Sequence, residues 1–219
     1  MTSRAAFERR ISDWVGFTVF LSFAILALMG ASATSVLLLP TVVYDLFVAI
    51  SFVIREPIQA TLPTLRARLV AHGGTFFMVL CVPLAGRINP EWVAMTQQGA
   101  LPAAGWTIWL GGSLFVACSV WHLRHSFSIE PQARRLVTSG PYSFARHPVY
   151  SGYLMQYLGM LMIVPTVPFA ALVCMWLLLV RQRMHYEEQV LGSAFPEYSE
   201  YRLRVGALYS LPIRRATAA

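Results

Sequence analysis

The sequence contains no lysine and few charged residues of any kind. Only 12% of its 219 residues are charged, which is about half the share of a soluble domain. This composition excludes an ordinary soluble domain and indicates an integral membrane protein. All 17 basic residues other than histidine are arginine, and with 10 acidic residues they give a net charge of +7.

Cysteine is scarce too, and common motifs of soluble enzymes are missing. The three cysteines, Cys81, Cys118 and Cys174, form no CxxC pair, so their spacing indicates neither a metal site nor a redox site. We expect free thiols, buried within membrane spans. The chain also lacks GxGxxG and HExxH, the fingerprints of dinucleotide binding and of zinc proteases.

Long apolar runs divide the chain. Three stretches of more than 30 residues carry no charge: Trp14–Tyr44, Trp92–Leu123, in which His122 is the one titratable exception, and Pro148–Val180. They predict an all-α fold, a polytopic integral membrane bundle of five or six transmembrane helices. The predicted spans cover residues 14–33, 36–54, 70–86, 103–123, 148–164 and 167–181. We expect no cleavable signal peptide, because the first apolar stretch is far longer than an h-region.

The last charge-free run is too long for one crossing. A straight helix over Pro148–Val180 would reach about 50 Å, against a hydrocarbon core of about 30 Å. We therefore predict a helical hairpin that turns at Val164–Pro168. The hairpin would return the acidic pair Glu187–Glu188 to the membrane face that carries Arg146–His147.

The arginines lie mainly on one side of the predicted spans. With the amino terminus inside, sixteen of the seventeen arginines are cytoplasmic and Arg87 alone is outside. This positive-inside bias predicts the orientation and explains the net charge without nucleic acid as a partner. We therefore predict an integral membrane protein whose site faces the cytoplasm. If the source is bacterial, the predicted location is the inner or plasma membrane.

Two polar features of the predicted spans have more than one interpretation. Asp45 lies within the second span, where a carboxylate must pair, face water or become protonated. It lines a substrate cavity, has a structural role, or shows that the predicted span boundary is misplaced. His122 and His125 share a helix face at the end of the fourth span. No carboxylate triad accompanies them, and we predict no metal site.

A turn and a basic pair precede the hairpin. Ser139–Pro141 is a turn signal, and Pro148 suits the first turn of a helix, where its missing N–H does no harm. With Arg146 and His147 beside it, this helix N-terminus is suited to an anionic group. The carboxylates across the hairpin suit a cation, so the site would fit a zwitterion or two ligands of opposite charge. Taken singly, each charge could instead simply cap a helix at the membrane surface.

Together these residues resemble a known family. The pattern is Leu136-Val137-x-x-Gly140-Pro141-Tyr142-x-x-x-Arg146-His147-Pro148-x-Tyr150-x-Gly152 with Glu187-Glu188 downstream. It resembles the isoprenylcysteine carboxyl methyltransferases and is similar to their relatives, the phospholipid methyltransferases. The segment Phe195–Val205 extends the resemblance, which covers residues 134–212. The first 120 residues match only in being membrane spans.

The resemblance implies a membrane methyltransferase that uses S-adenosylmethionine without a dinucleotide-binding fold. Its substrate would be a lipophilic small molecule or a lipid-anchored acceptor, with membrane lipids around it. The implied organisation is one membrane domain over residues 1–219. Residues 1–126 would form the transmembrane scaffold and substrate side, and residues 127–219 the catalytic part with its cofactor site. The chain departs from the family at Arg134, where members often carry histidine.

The same resemblance implies roles for individual residues. Arg183 would face the acceptor, and Arg146 is assigned with it to the catalytic set. The expected cofactor-binding residues are Leu136, Val137, Gly140, Tyr142, His147, Pro148, Val149, Tyr150, Glu187 and Glu188. Methyl transfer mainly requires that the protein bring the methyl donor and the acceptor together. It does not require a metal ion. A carboxylate acceptor would need a cationic guide, and an amine or thiol a proton acceptor such as His185 or either glutamate.

Two other functions fit parts of the sequence. An NADPH-dependent sterol-type reductase resembles this family in its carboxyl-terminal half, although paired glutamates suit a cation better than an anionic cofactor. A non-enzymatic membrane carrier or lipid-binding protein would explain Asp45 within a span. Prenylated cysteine, a phospholipid headgroup, an isoprenoid acid and a small thiol are all compatible acceptors. The oligomeric state does not follow from the sequence.

Overall fold

The computed structural model describes residues 13–25, 39–88, 91 and 100–209, most of which are helical. The helices are α1 (Asp13–Ile25), α2 (Leu39–Ile54), α3 (Leu65–Ile88), α4 (Ala100–Leu123), α5 (Pro148–Ile163), α6 (Val167–Ala194) and α7 (Tyr198–Arg204). A 3₁₀ helix, Gly140–Ser143, lies between α4 and α5.

The helical architecture agrees with the prediction, but several boundaries differ. α3 begins at Leu65 instead of residue 70, and α6 continues to Ala194 instead of ending at residue 181. Both predicted ends stopped at charged residues, yet arginine and glutamate are good helix formers. The two helices therefore continue through the charges into the site. The predicted first span beyond residue 25 lies outside the described residues.

One short ribbon accompanies the helices, and the all-α prediction missed it. Ala60–Thr61 (β1) pairs antiparallel with Gln132–Ala133 (β2). Pro57 and Pro63 disfavour a helix in the segment after α2, so its extended backbone can pair with the segment after α4. The ribbon ties together the two connections that border the site.

Two helices of the described chain are long and apolar enough to cross a membrane, Ala103–Leu123 and Val167–Ala194. Their apolar windows are only 39% and 28% buried within the protein. Fewer than half of the residues in these windows are therefore buried against other parts of the protein, whereas the core helix of a soluble protein is mostly buried. Asp13–Ile25 and Pro40–Ile54 are shorter apolar helices. A membrane protein is supported, while the five or six crossings and their orientation stay predictions.

The cysteines do not lie where they were predicted. Cys118 and Cys174 are exposed and Cys81 is half-buried, so the prediction of buried thiols is wrong. All three are free thiols, as predicted. In a membrane bundle apolar side chains face both the core and the lipid. Apolar character therefore does not tell which side of a helix is buried.

α5 and α6 form the predicted hairpin. α5 ends at Ile163 and α6 begins at Val167, with the connection inside the predicted turn. Thr166 caps α6, because its Oγ1 accepts a hydrogen bond from Phe169 N at 3.4 Å. The 28 residues of α6 extend about 42 Å. Its charged end therefore projects beyond a hydrocarbon core of about 30 Å.

α4 and α5 pack closely through glycines. A Cβ on Gly112 would lie 2.7 Å from the carbonyl oxygen of Gly152 and 2.9 Å from Gln156 N. A Cβ on Gly159 would lie 2.5 Å from the carbonyl oxygen of Gly105. Small residues let helix backbones approach each other in membranes. This packing fixes α5, whose amino-terminal end carries the site.

Gly112→Ala should destabilise the protein, because the added methyl group meets backbone atoms that cannot rotate away. The expected cost is about 1–3 kcal/mol, as for other overpacked interiors, measured as a lower midpoint of thermal unfolding in detergent. Gly111→Ala is the matched control, since its Cβ would meet only Met155 Cε at 3.9 Å. Equal midpoints for the two variants would contradict the close α4–α5 packing.

Candidate functional site

The amino-terminal end of α5 meets the charged end of α6. Arg146 contacts Glu188 Oε1 through Nε at 2.9 Å and through Nη2 at 2.8 Å. His147 Nε2 lies 3.2 Å from the same oxygen. The predicted meeting of Arg146–His147 with Glu187–Glu188 is confirmed as a contact.

Glu187 is held in place by three side chains. Its Oε1 accepts hydrogen bonds from Tyr150 Oη at 2.5 Å and from Arg183 Nε at 2.9 Å. Its Oε2 lies 3.5 Å from His147 Nδ1. These contacts fix the orientation of the carboxylate, while 22% of the side chain stays exposed.

Arg183 is buried, and protein acceptors surround its guanidinium group. Nη1 donates to the carbonyl oxygen of Ala71 at 2.9 Å and to Thr75 Oγ1. Nη2 donates to the carbonyl oxygen of Ile129 at 2.9 Å, and Nε is bonded to Glu187. Because a guanidinium has five N–H donors, these four contacts leave one for a ligand. Arg183 thus ties α6 to α3 and to the segment after α4.

The carboxyl-terminal tail closes over the start of α5. The backbone N–H groups of Arg146 and His147 donate to Gly206 O and Ala207 O, each at 2.9 Å. Sequence analysis predicted a place for an external anion at this helix N-terminus. The tail carbonyls instead accept from these two backbone N–H groups, and Glu188 contacts the side chains of Arg146 and His147.

α7 anchors this tail through aromatic side chains. Tyr198 and Tyr201 are buried, and Tyr201 Oη donates to the carbonyl oxygen of Tyr142 at 2.6 Å. Arg146 Nη1 donates to the carbonyl oxygen of Arg202 at 3.1 Å. The aromatic segment after α6 therefore holds the 3₁₀ turn and the start of α5 against each other.

His147 lies between the two carboxylates, and they determine the direction in which its pKa shifts. Burial by itself lowers the pKa of His147, but hydrogen bonds and negative charge from Glu187 and Glu188 outweigh burial and raise it above the usual value. The ring stacks on Tyr150 with 5.7 Å between centroids. The imidazole therefore lies between the two carboxylates, which favour its protonated form.

A cavity of about 150 Å³ opens beside these groups, and we call it the polar cavity. The predicted site residues that line it are Tyr142, Arg146, His147, Val149, Tyr150, Arg183 and Glu187. Those that do not line it are Leu136, Val137, Gly140, Pro148 and Glu188. The structure thus brings about half of the predicted set to one cavity wall.

The remaining predicted residues have identifiable positions around the cavity. Leu136 packs against the aromatic cluster beneath α7, and Val137 is half-buried in the extended segment next to it. Gly140 has φ +61°, and a Cβ there would lie 2.4 Å from the His122 ring, so the turn requires glycine. Pro148 starts α5, as predicted.

Sequence reasoning missed the wall formed by the segment after α4 and by α3. The lining residues from these parts are Gly74, Thr75, Ser126, Phe127, Ser128, Glu130 and Gln132. Arg134 lines the cavity too, with its side chain buried and its Nη2 donating to Gln132 Oε1 at 2.9 Å. The sequence feature that could have indicated this wall is the polar stretch between the predicted fourth span and the turn at Ser139–Pro141.

A second cavity of about 620 Å³ adjoins the polar cavity, and we call it the aromatic cavity. Four residues line both: Phe20, Gly74, Thr75 and Tyr153. Its walls are mainly aromatic, and Asp45 is part of its lining. Asp45 therefore lies within a helix, as predicted, and in a cavity wall, while a substrate in that cavity stays a prediction.

The two histidines at the end of α4 make separate backbone contacts. His122 Nδ1 lies 2.8 Å from the carbonyl oxygen of Cys118, and His125 Nδ1 lies 3.2 Å from that of Ile54. Within the described ranges, no group of three or more His, Cys, Asp or Glu side chains is placed to hold a metal ion.

Comparison with known proteins finds a family model that is similar to part of the chain. The family model for phospholipid methyltransferases matches residues 101–197, which run from α4 to the end of α6 and the turn after it. The match supports a membrane methyltransferase in general. It covers less than half of the chain and does not specify the acceptor.

One curated relative matches a shorter stretch. The cobalt-zinc-cadmium resistance protein CzcN of Cupriavidus metallidurans is 37% identical over 75 residues, 34% of this chain and 35% of that protein. The match thus spans about a third of the relative's length. No solved structure matches the chain.

The stabilising effect of His147 should depend on pH. Because its folded-state pKa is raised above the unfolded value of about 6.5, its protonation stabilises the protein below that pH. This contribution is lost as the pH rises through the folded-state pKa. The difference in unfolding midpoint between wild type and His147→Gln should therefore shrink from pH 6 to pH 9. A constant or growing difference would contradict the protonated link to the glutamates.

Proposed function

We propose that this chain is an S-adenosylmethionine-dependent membrane methyltransferase, similar to isoprenylcysteine carboxyl methyltransferases, with a lipophilic or lipid-anchored acceptor. The observation that carries the proposal is the position of Glu187. Its fixed carboxylate lines a cavity whose wall also contains the rings of Tyr142, Tyr150 and Tyr153. The family match over residues 101–197 agrees with this activity.

The lining of the polar cavity fits a sulfonium cofactor. Aromatic faces and a carboxylate are the groups that attract an onium cation. Glu187 Oε2 has a single 3.5 Å contact with His147 among the described residues, and a carboxylate oxygen can accept more than one hydrogen bond. S-adenosylmethionine, when bound, supplies a methyl group that is already activated for transfer.

The polar cavity alone is too small for the whole proposed cofactor. Ligand pockets usually measure about 300–1,000 Å³, and the polar cavity alone measures about 150 Å³. A cofactor with a nucleoside needs part of the adjoining space as well. The aromatic cavity shares four lining residues with the polar cavity, so this additional space lies directly beside the cavity that Glu187 lines.

The side chains of the site position reactants rather than react themselves. Holding two reactants in register can lower a barrier by about 7–11 kcal/mol. Tyr150 and Arg183 orient Glu187, while Arg146 holds Glu188 and the tail. We therefore assign Arg146 a positioning role, although sequence analysis placed it in the catalytic set.

Arg183 lies where the two cavities meet. It donates to Thr75, which lines both, and a Cβ on Gly74 would lie 3.3 Å from Arg183 Cδ. Its remaining N–H group is the donor available to an acceptor oxygen. In this proposal Arg183 orients the reacting end of the acceptor, and the apolar body of the acceptor occupies the aromatic cavity.

A thermal-shift comparison separates this proposal from the alternatives. S-adenosylhomocysteine should raise the unfolding midpoint of the protein in detergent, and NADPH should not. Stabilisation by NADPH alone would favour a reductase, and stabilisation by neither would favour a carrier. Either result would contradict the methyltransferase assignment.

Glu187→Gln should weaken S-adenosylhomocysteine binding while the protein still folds. A hydrogen bond to a charged group contributes about 1.5–3 kcal/mol, so the affinity should fall roughly tenfold to 150-fold. Titration calorimetry in detergent measures the change. Glu200→Gln, an exposed site on α7, is the control. Unchanged affinity of Glu187→Gln would count against Glu187 as a cofactor ligand.

Arg183→Lys should reduce turnover more than cofactor affinity, because lysine keeps the charge but loses the planar fork of donors. We expect a drop of about tenfold or more in labelled methyl transfer into a membrane-lipid extract, with a smaller change in S-adenosylhomocysteine affinity. The neighbouring exposed residue provides the control, Arg181→Lys. Equal losses in both measurements would undercut a role toward the acceptor.

A further inference from the structure

The aromatic cavity contains a buried charge that the proposed methyl transfer does not use. Asp45 of α2 lines the cavity with 6% of its surface exposed. Within the described ranges no hydrogen bond or ion pair reaches its carboxylate. An isolated buried carboxylate is costly, so its position in a cavity wall points to a ligand.

A second unpartnered group lies on the same face of α2. Thr41 lines the aromatic cavity, and its Oγ1 is buried without a hydrogen-bond partner among the described residues. Thr41 and Asp45 are four residues apart and therefore neighbours on one helix face. A hydroxyl and a carboxylate side by side can both accept hydrogen bonds from one donor-rich group.

The walls of the cavity indicate the sign of that group. Besides phenylalanines, the aromatic residues that line it are Tyr44, Trp106, Trp109, Tyr153, Tyr157 and Trp176. Aromatic faces attract cations and are the usual walls of sites for organic ammonium groups. Asp45 is the one formally charged side chain in the described lining, which contains neither arginine nor histidine. An anionic ligand would therefore meet a like charge and no counter-charge.

We infer that the aromatic cavity binds the ammonium group of an apolar amine. Asp45 supplies the counter-charge, Thr41 accepts a further hydrogen bond, and the apolar part of the ligand packs against the rings. A phospholipid fits poorly, because its phosphate would find no cation in this cavity. Binding requires no cofactor, so this inference is tested separately from the proposed function.

A series of single-chain probes tests the inference on the purified full-length protein in nanodiscs. Dodecylamine, dodecanol and dodecanoic acid share one alkyl chain and differ in the headgroup. Binding is followed by intrinsic tryptophan fluorescence, because Trp106, Trp109 and Trp176 line the cavity. We expect the amine to bind about tenfold more tightly than the alcohol, and the acid to bind weakest.

Variants of the two polar residues identify the site of binding. Asp45→Asn should weaken amine binding by about 30-fold or more, because one partner of a desolvated charge pair is lost, and should leave dodecanol binding unchanged. Thr41→Val should produce a smaller loss, and Glu200→Gln none. If Asp45→Asn does not fold, Asp45→Glu retains the charge and should retain the preference for the amine over the alcohol.

The outcomes are decisive and separable from those of the proposed function. Equal binding of the three probes, tighter binding of the acid, or amine binding that Asp45→Asn leaves unchanged would overturn the inference. Loss of the amine preference in Asp45→Glu would overturn it as well. A wild-type protein that prefers the amine but gives no thermal shift with S-adenosylhomocysteine would uphold the amine site and reject the methyltransferase.

Discussion

The site depends on how the paired carboxylates of α6 are neutralised at the start of α5. Carboxylates in a poorly hydrated environment need cationic partners with good geometry. Glu188 has Arg146 at 2.8 Å, Glu187 has Arg183 at 2.9 Å, and His147 contacts both. These partners come from two parts of the chain, the residues just before α5 and α6 itself, so both carboxylates are neutralised only when the hairpin brings these parts together.

α3 contacts one of these partners and borders both the polar and the aromatic cavity. Arg183 draws α3 against α6 through Ala71 and Thr75, and the same turns of α3 line both cavities. The same part of α3 thus borders the cavity beside the charged groups and the cavity with mainly aromatic walls.

The sequence allowed prediction of those features that follow from local chemistry or chain length. A charge-free run too long for one crossing predicted the hairpin. The positive φ of Gly140 agrees with the turn predicted at Ser139–Pro141, and α5 starts at Pro148, as the proline predicted. The acceptors around Arg183 could not be predicted, because contacts between helices far apart in sequence leave no local pattern. The outward position of Cys118 was missed because apolar residues face lipid as well as core.

The central claim is that the hairpin places Arg146 and Glu188 in direct contact and that the site is built on this contact. A double-mutant cycle with Arg146→Gln and Glu188→Gln, read by unfolding in detergent, tests it most directly. The account predicts that the two substitutions are coupled by about 1 kcal/mol or more, as for residues in one ion-pair network. Effects that simply add would show that the two side chains do not meet, and would contradict the site described above.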